Sequence, residues 1–324
     1  MEKKSFNFIR QSKFVVLLFA LMAVCSLVSL LTRGLNYGID FEGGILVEVK
    51  MTEEIDMAQM RAKMSALNFN EVNLQSVGNS GHEMMIHVAG GSDENEQKQV
   101  IEQIKATLAP DTQYNRIEVV GPKIGDELKH QSWIASIIAL IAIALYISFR
   151  FEWQFAFVCL IAVAFDLFIT LGLFSVTGMD FNMTVVAGLL SLAGYTTNDK
   201  VVNFDRVREN LKLYRKMSLN DLLNKSINDT LSRTILTSIT TLLVLGILIF
   251  IGGKTLLGFS VCLFFGVIMG TFSSIYLAVP MLRFFNITTL AAKATETGPY
   301  AEAARFEMEA KKQPLGPYHK GGRR

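Results

Sequence analysis

The stretch Gly194-Tyr-Thr-Thr-Asn-Asp-Lys-Val-Val-Asn-Phe-Asp-Arg-Val-Arg-Glu-Asn210 decides how this chain is read. It continues an apolar run from Met183 to Ala193, which places Asp199 inside a membrane-spanning helix. A carboxylate at the centre of a bilayer costs about 2.5–3.5 kcal/mol on insertion scales, so residues that carry this cost tend to line a proton or substrate path. The competing reading makes Asp199 an N-terminal cap or a carboxylate at the water interface.

Two more charges fall in apolar surroundings. Asp166 lies among Ala164, Phe165, Leu167 and Phe168. Arg233 opens another apolar run and is followed by Thr234, Thr237, Ser238 and Thr241. Spacings of three, four and seven put these hydroxyls on one helical face just beyond the guanidinium, where they would hold a chain of waters. Hydroxyls in membrane helices also bond back to their own carbonyls, and an Arg at a helix end often snorkels to the interface.

The composition agrees with a membrane protein. Of 324 residues, 51% are apolar, and they cluster into six runs: 14–31, 133–149, 155–176, 183–203, 234–251 and 256–285. Each is long enough to cross about 30 Å at 1.5 Å per residue. The first run exceeds the apolar core of a signal peptide and lacks a cleavage site, so it is expected to be retained. Basic residues before residue 14, eight Lys or Arg between Lys200 and Arg233, and a basic tail place both termini and a loop at 204–233 in the cytoplasm. The segment 33–131 then lies on the periplasmic side.

That segment alternates in a strand pattern at Ile45, Val47, Val49 and Met51, with a helical stripe at Met57, Met60, Met64 and Leu67. Strands beginning at Val72 and Met84 flank a turn at Gly78–Gly81. A helix capped by Asp93 and a last strand at Arg116–Val120 complete a βαββαβ order. The expected fold is therefore an all-α bundle of six membrane helices with an inserted periplasmic α+β domain of ferredoxin-like type. Residues 286–324 form a cytoplasmic tail, disordered in part.

Other chemistry finds little support. Cys25, Cys159 and Cys262 have no CxxC neighbour, the four histidines have no ligand spacing, and a net charge of +2 makes no case for nucleic acid. Neither a metal nor a cofactor is expected. Gly253-Lys254-Thr255 echoes a Walker A loop, but Leu248 stands where the first glycine belongs. Gly266 and Gly270 form a GxxxG that offers a close helix contact, here expected to serve a partner helix, and Pro280 is expected to kink the same segment.

Several motifs agree in order along residues 10–285: Gly38-Ile-Asp-Phe-Glu-Gly-Gly44, Val120-Gly-Pro-Lys-Ile-Gly-Asp-Glu-Leu128, Asp199 to Asn210, Leu231-Ser-Arg-Thr234, and Gly266 to Ser274. Together they resemble the SecD/SecF family of bacterial protein-export membrane proteins, within the resistance–nodulation–division superfamily. About 100 residues outside the membrane match the smaller, SecF-like kind. The resemblance implies a non-enzymatic, proton-motive-force-coupled subunit of the inner membrane. Its implied partners are a SecD-like subunit, the SecYEG channel, the translocating preprotein and surrounding lipid. It maps the family's intramembrane aspartate and arginine onto Asp199 and Arg233, and with Asp166, Asn198, Thr237 and Thr241 these make the expected proton relay; the family-motif positions are Gly38, Asp40, Phe41, Gly43, Gly44, Asp205 and Arg206. Asp166 falls in an Asp-x-x-x-Thr-Leu-Gly pattern with Thr170, Leu171 and Gly172. Thr196-Thr197 departs from the small or apolar residues usual there. Rival readings are a small-molecule or lipid exporter of the same superfamily, and a static scaffold whose buried charges only pair helices.

Overall fold

The computed structural model describes residues 6–67, 69, 71–77, 81–89, 94–214, 216–285 and 287. The expected cap Asp93, most of the turn at 78–81 and nearly all of the tail lie outside these residues. The first helix, α1 (Phe8–Thr32), leads through a short turn, α2 (Ile39–Glu42), into a sheet unit. That unit runs β1 (Gly44–Lys50), α3 (Met57–Ser65), β2 (Glu71–Val77), β3 (Glu83–Ala89), α4 (Glu94–Thr107) and β4 (Gln113–Val120). The sheet order is β2-β3-β1-β4 and every neighbouring pair is antiparallel.

Alternation explains the packing of this unit. Ile45, Val47 and Val49 of β1 share a core with Met84, Ile86 and Val88 of β3, Met60 and Met64 of α3, and Ile104 and Leu108 of α4. Asp56 starts α3 by accepting hydrogen bonds from the amides of Ala58 and Gln59 at 2.8 and 3.2 Å. The opposite face of β1 is covered as well, and Glu48 on that face is buried.

The remaining chain is helical: α5 (Pro122–Arg150), α6 (Trp153–Thr177), α7 (Met183–Leu213), α8 (Leu219–Ile251) and α9 (Gly253–Ser273). Among the described residues, five helices are long and apolar enough to cross a membrane: α1, α5, α6, α8 and the segment Gly253–Phe284. The sixth expected span, 183–203, lies within α7. This helix has the length, but its polar second half keeps it out of that set. Phe149 and Phe250 point outward almost fully exposed, as side chains do on a surface that meets lipid.

Two expected boundaries change. The loop at 204–233 is mostly helix, because α7 continues to Leu213 and α8 begins at Leu219 with Ser218 as its cap. Residues 122–131, assigned to the insert, belong to α5, where Pro122 occupies the first turn and needs no amide partner. Pro280 ends α9 as a regular helix. A π turn at Ser274–Ala278 precedes it and absorbs the missing amide.

Candidate functional site

The family-motif segment Gly38–Gly44 builds a knuckle between the sheet and the bundle. Tyr37 and Phe181 form a parallel bridge, in which the Gly38 amide donates to the Phe181 carbonyl at 2.9 Å. Asp40 reaches the start of α7 and accepts from the Met183 amide at 2.9 Å, so it serves as an N-terminal cap from a distant segment. Phe41 stacks on Phe181 with ring centroids 5.9 Å apart. Gly43 and Gly44 both have positive φ, +71° and +124°, and a Cβ on Gly44 would sit 2.5 Å from the Val88 carbonyl oxygen. The two glycines are needed by the backbone, which must turn and pass close to β3.

The middle of the bundle holds the unusual chemistry. Asp166 on α6 and Lys200 on α7 form an ion pair with Nζ to Oδ2 at 2.7 Å, and their side chains are 1% and 0% exposed. Lys200 also approaches the Thr196 carbonyl at 3.4 Å. The second Asp166 oxygen has no protein partner, and neither do the hydroxyls of Thr196, Thr197 and Thr234. Asp199, buried next in sequence, accepts from the Ser274 hydroxyl at 3.1 Å, at the start of the π turn. Thr234 borders that carboxylate without a hydrogen bond of good geometry.

Close helix approach creates this cluster. A Cβ on Gly270 would collide with Thr196 and lie 3.5 Å from Asp166 Oδ2, and one on Gly266 would collide with Leu192. The GxxxG therefore seats α9 on α7 of the same chain, and a docking face for a partner helix is not where it points.

Several expected relay residues lie elsewhere. Asn198 is exposed on the other side of α7. Thr237 is exposed and bonds back to the carbonyls of Arg233 and Thr234, and Thr241 bonds back to the Thr237 carbonyl. The hydroxyl face is thus split. Ser238 turns inward to Thr271 at 2.7 Å, while Thr237 and Thr241 satisfy themselves along the helix. Arg233 is exposed, and neither a hydrogen bond nor an ion pair joins it to Asp199. Asp205 and Arg206 belong to a separate network at the end of the bundle away from the sheet. There Arg150 Nη2 donates to both Asp205 oxygens at 2.8 and 2.9 Å, and Arg206 donates to Asp229 at 2.8 and 2.9 Å and to Glu209 at 2.7 Å.

Sequence reasoning missed Lys200 by counting it among the surface cations. The available signal was its place one residue after Asp199, a full turn before the polar run from Asp205.

Comparisons with known proteins agree with this layout. The family model described as "Protein export membrane protein SecD/SecF, C-terminal" matches residues 100–287, and "SecD/SecF GG Motif" matches residues 28–54, around Gly43 and Gly44. The chain belongs to the SecD/SecF family. Among SecD/SecF relatives, protein translocase subunit SecF of Rickettsia typhi is 44% identical over 269 residues, 81% of this chain and 87% of that protein. The SecF subunit of Rickettsia prowazekii is 42% identical over 287 residues, 87% and 92% of the two chains. A crystal structure of SecDF from Thermus, a translocon-associated membrane protein, superposes with a TM-score of 0.79 at 35% identity. It covers 87% of this chain, which in turn spans 38% of that one. These relatives are named as translocase subunits, which places this chain among proteins of the protein-export apparatus.

Proposed function

We propose that this chain is a proton-motive-force-coupled subunit of the Sec translocase accessory complex. In this reading it works with a SecD-like subunit beside the SecYEG channel to assist preproteins across the inner membrane. All six long helices span the bilayer, both termini are cytoplasmic, and the sheet unit, ferredoxin-like by its βαββαβ order, faces the periplasm. The observation that carries the reading is Asp199, buried beside an ion pair and hydrogen-bonded to the irregular turn of α9.

In this mechanism Asp199 takes the proton. Lys200 and Asp166 already neutralise each other, so Asp199 is the carboxylate left to respond, and the unpartnered oxygens of Asp166, Thr196 and Thr234 supply hydrogen-bonding sites along its path. Arg233 enters in a second conformation. One residue is about 100° around a helix, so rotating α8 by that amount replaces Thr234 with Arg233 beside Asp199 and drives the proton off. Each charge that crosses the membrane brings about 2.3 kcal/mol per 100 mV, enough to bias a two-state element.

Preprotein transfer in sealed membrane vesicles with and without an imposed proton gradient tests the proposal. Asp199→Asn is expected to leave assembly intact and remove the gradient-dependent part of transfer. Arg233→Ala is expected to do nearly the same, and Arg233→Lys to retain some of it. Gradient-dependent transfer that survives Asp199→Asn refutes the proton reading and leaves the scaffold.

A further inference from the structure

At the corner between α8 and α9, Lys254 reaches the sheet unit. Lys254 Nζ lies 2.6 Å from Glu48 Oε1 on β1 and 2.8 Å from Glu83 Oε2 on β3. Glu48 is 5% exposed and also accepts from Asn115 of β4 at 3.3 Å, so it is held in place to receive the ammonium. Glu83 has a second, looser cation in Lys50 at 3.6 Å. The pairs come from opposite halves of the molecule, a membrane-helix corner and an external sheet.

The same corner is also tied to the buried carboxylate. Lys254 is the second residue of α9, and Ser274, which holds Asp199, follows its last residue, about 30 Å away at 1.5 Å per residue. Between these points α9 is seated on α7 without side chains to cushion it: Gly258 against Val185, Gly266 against Leu192 and Gly270 against Thr196. Helix α8, which carries Thr234 and Arg233, ends at Ile251 with Gly252 as its cap, and Gly253 turns the chain with φ +72°. A change at Asp199 through α9, or a rotation of α8, therefore reaches the residue that grips the sheet.

We propose that Lys254 is the clasp through which the membrane helices hold and release the external sheet unit, with α9 as the connecting rod. The inference rests on the proton role of Asp199 for what drives it, but the clasp itself stands on the Lys254 contacts. With Lys254 on Glu48 and Glu83, the unit is docked on the bundle. When the corner moves, Glu48 is left buried without its cation, and the unit swings to bring that carboxylate to water.

Hydrogen exchange and gradient-dependent transfer, measured together on the full chain in membranes, test this. Lys254→Met is expected to raise amide exchange in β1 and β3 by roughly tenfold, as loss of a charge-assisted contact loosens local opening. It is expected to reduce transfer while gradient-driven proton uptake continues. Lys254→Arg, which keeps the charge, is expected to restore protection and part of the transfer. Unchanged exchange in Lys254→Met overturns the clasp. Raised exchange with normal transfer overturns its coupling role and leaves a structural tether. Loss of the proton reading shows instead as normal transfer in Asp199→Asn, whatever Lys254→Met does.

Discussion

The bundle carries two charged clusters, one at mid-height and one at the end away from the sheet, and they are built in opposite ways. At mid-height a single ion pair, Lys200–Asp166, is sealed from solvent, with a lone carboxylate, Asp199, beside it. At the far end Arg150, Asp205, Arg206, Arg208, Glu152, Glu209 and Asp229 share contacts, and their side chains are a quarter to a half exposed. Water screens the second cluster, so losing one partner leaves no member in a dry site. The first cluster has no such relief. Each charge there has few neighbours, as the proposed function requires of a site that responds to one proton.

The sharpest way to break this comparison is to remove one partner at mid-height. Lys200→Met leaves Asp166 buried and unpaired, a loss of about 3–5 kcal/mol expected as poor membrane accumulation or a lower midpoint of unfolding in detergent. Lys200→Met combined with Asp166→Leu is expected to recover most of that stability. A single substitution as stable as the parent would mean that the pair is hydrated.

At the far end the same operation is expected to do little. Arg206→Ala leaves Asp229 with Lys225 and Asn210, and the loss is expected within about 1 kcal/mol by the same unfolding measurement. A loss comparable with that of Lys200→Met would erase the contrast between the clusters.

The smallest effect concerns pH at the sheet. The hydrogen bond from Lys254, aided by the charges of Lys254 and Lys50, outweighs burial and holds the Glu83 carboxyl below its usual range. A depressed carboxylate adds stability that is fully present above its ordinary value of about 4.3 and is lost as pH falls through the lower folded value. Glu48 faces the same ammonium. Protection of β3 amides from exchange is expected to fall only in that acidic window, and less in Glu83→Gln. A decline that starts near neutral pH would assign the effect to another group.

Much of this was legible in the chain. Alternation at Ile45, Val47 and Val49 located β1, and the apolar runs located the long helices, because both signals are periodic and local. The helix ends were less legible. Residues 204–213 and 219–233 are polar, yet they extend α7 and α8 since their polar side chains pair across the two helices. The burial of Asp199 and Asp166 was legible by residue type, and the facing of Lys200, Asn198 and Thr237 was not. Spacing ranks residues on a helix face, but which face turns inward is set by contacts distant in sequence, here Gly266 and Gly270 against α7. Lys254 was set aside with an incomplete nucleotide-binding motif, and its partners lie about 200 and 170 residues earlier in the chain.

The most direct measurement is the infrared difference spectrum of the full chain in membranes on stepping the pH, read in the carboxylic-acid C=O region. A protonation band is expected in the parent and in Asp205→Asn and is expected to be absent in Asp199→Asn. A band that persists unchanged in Asp199→Asn would contradict this expectation.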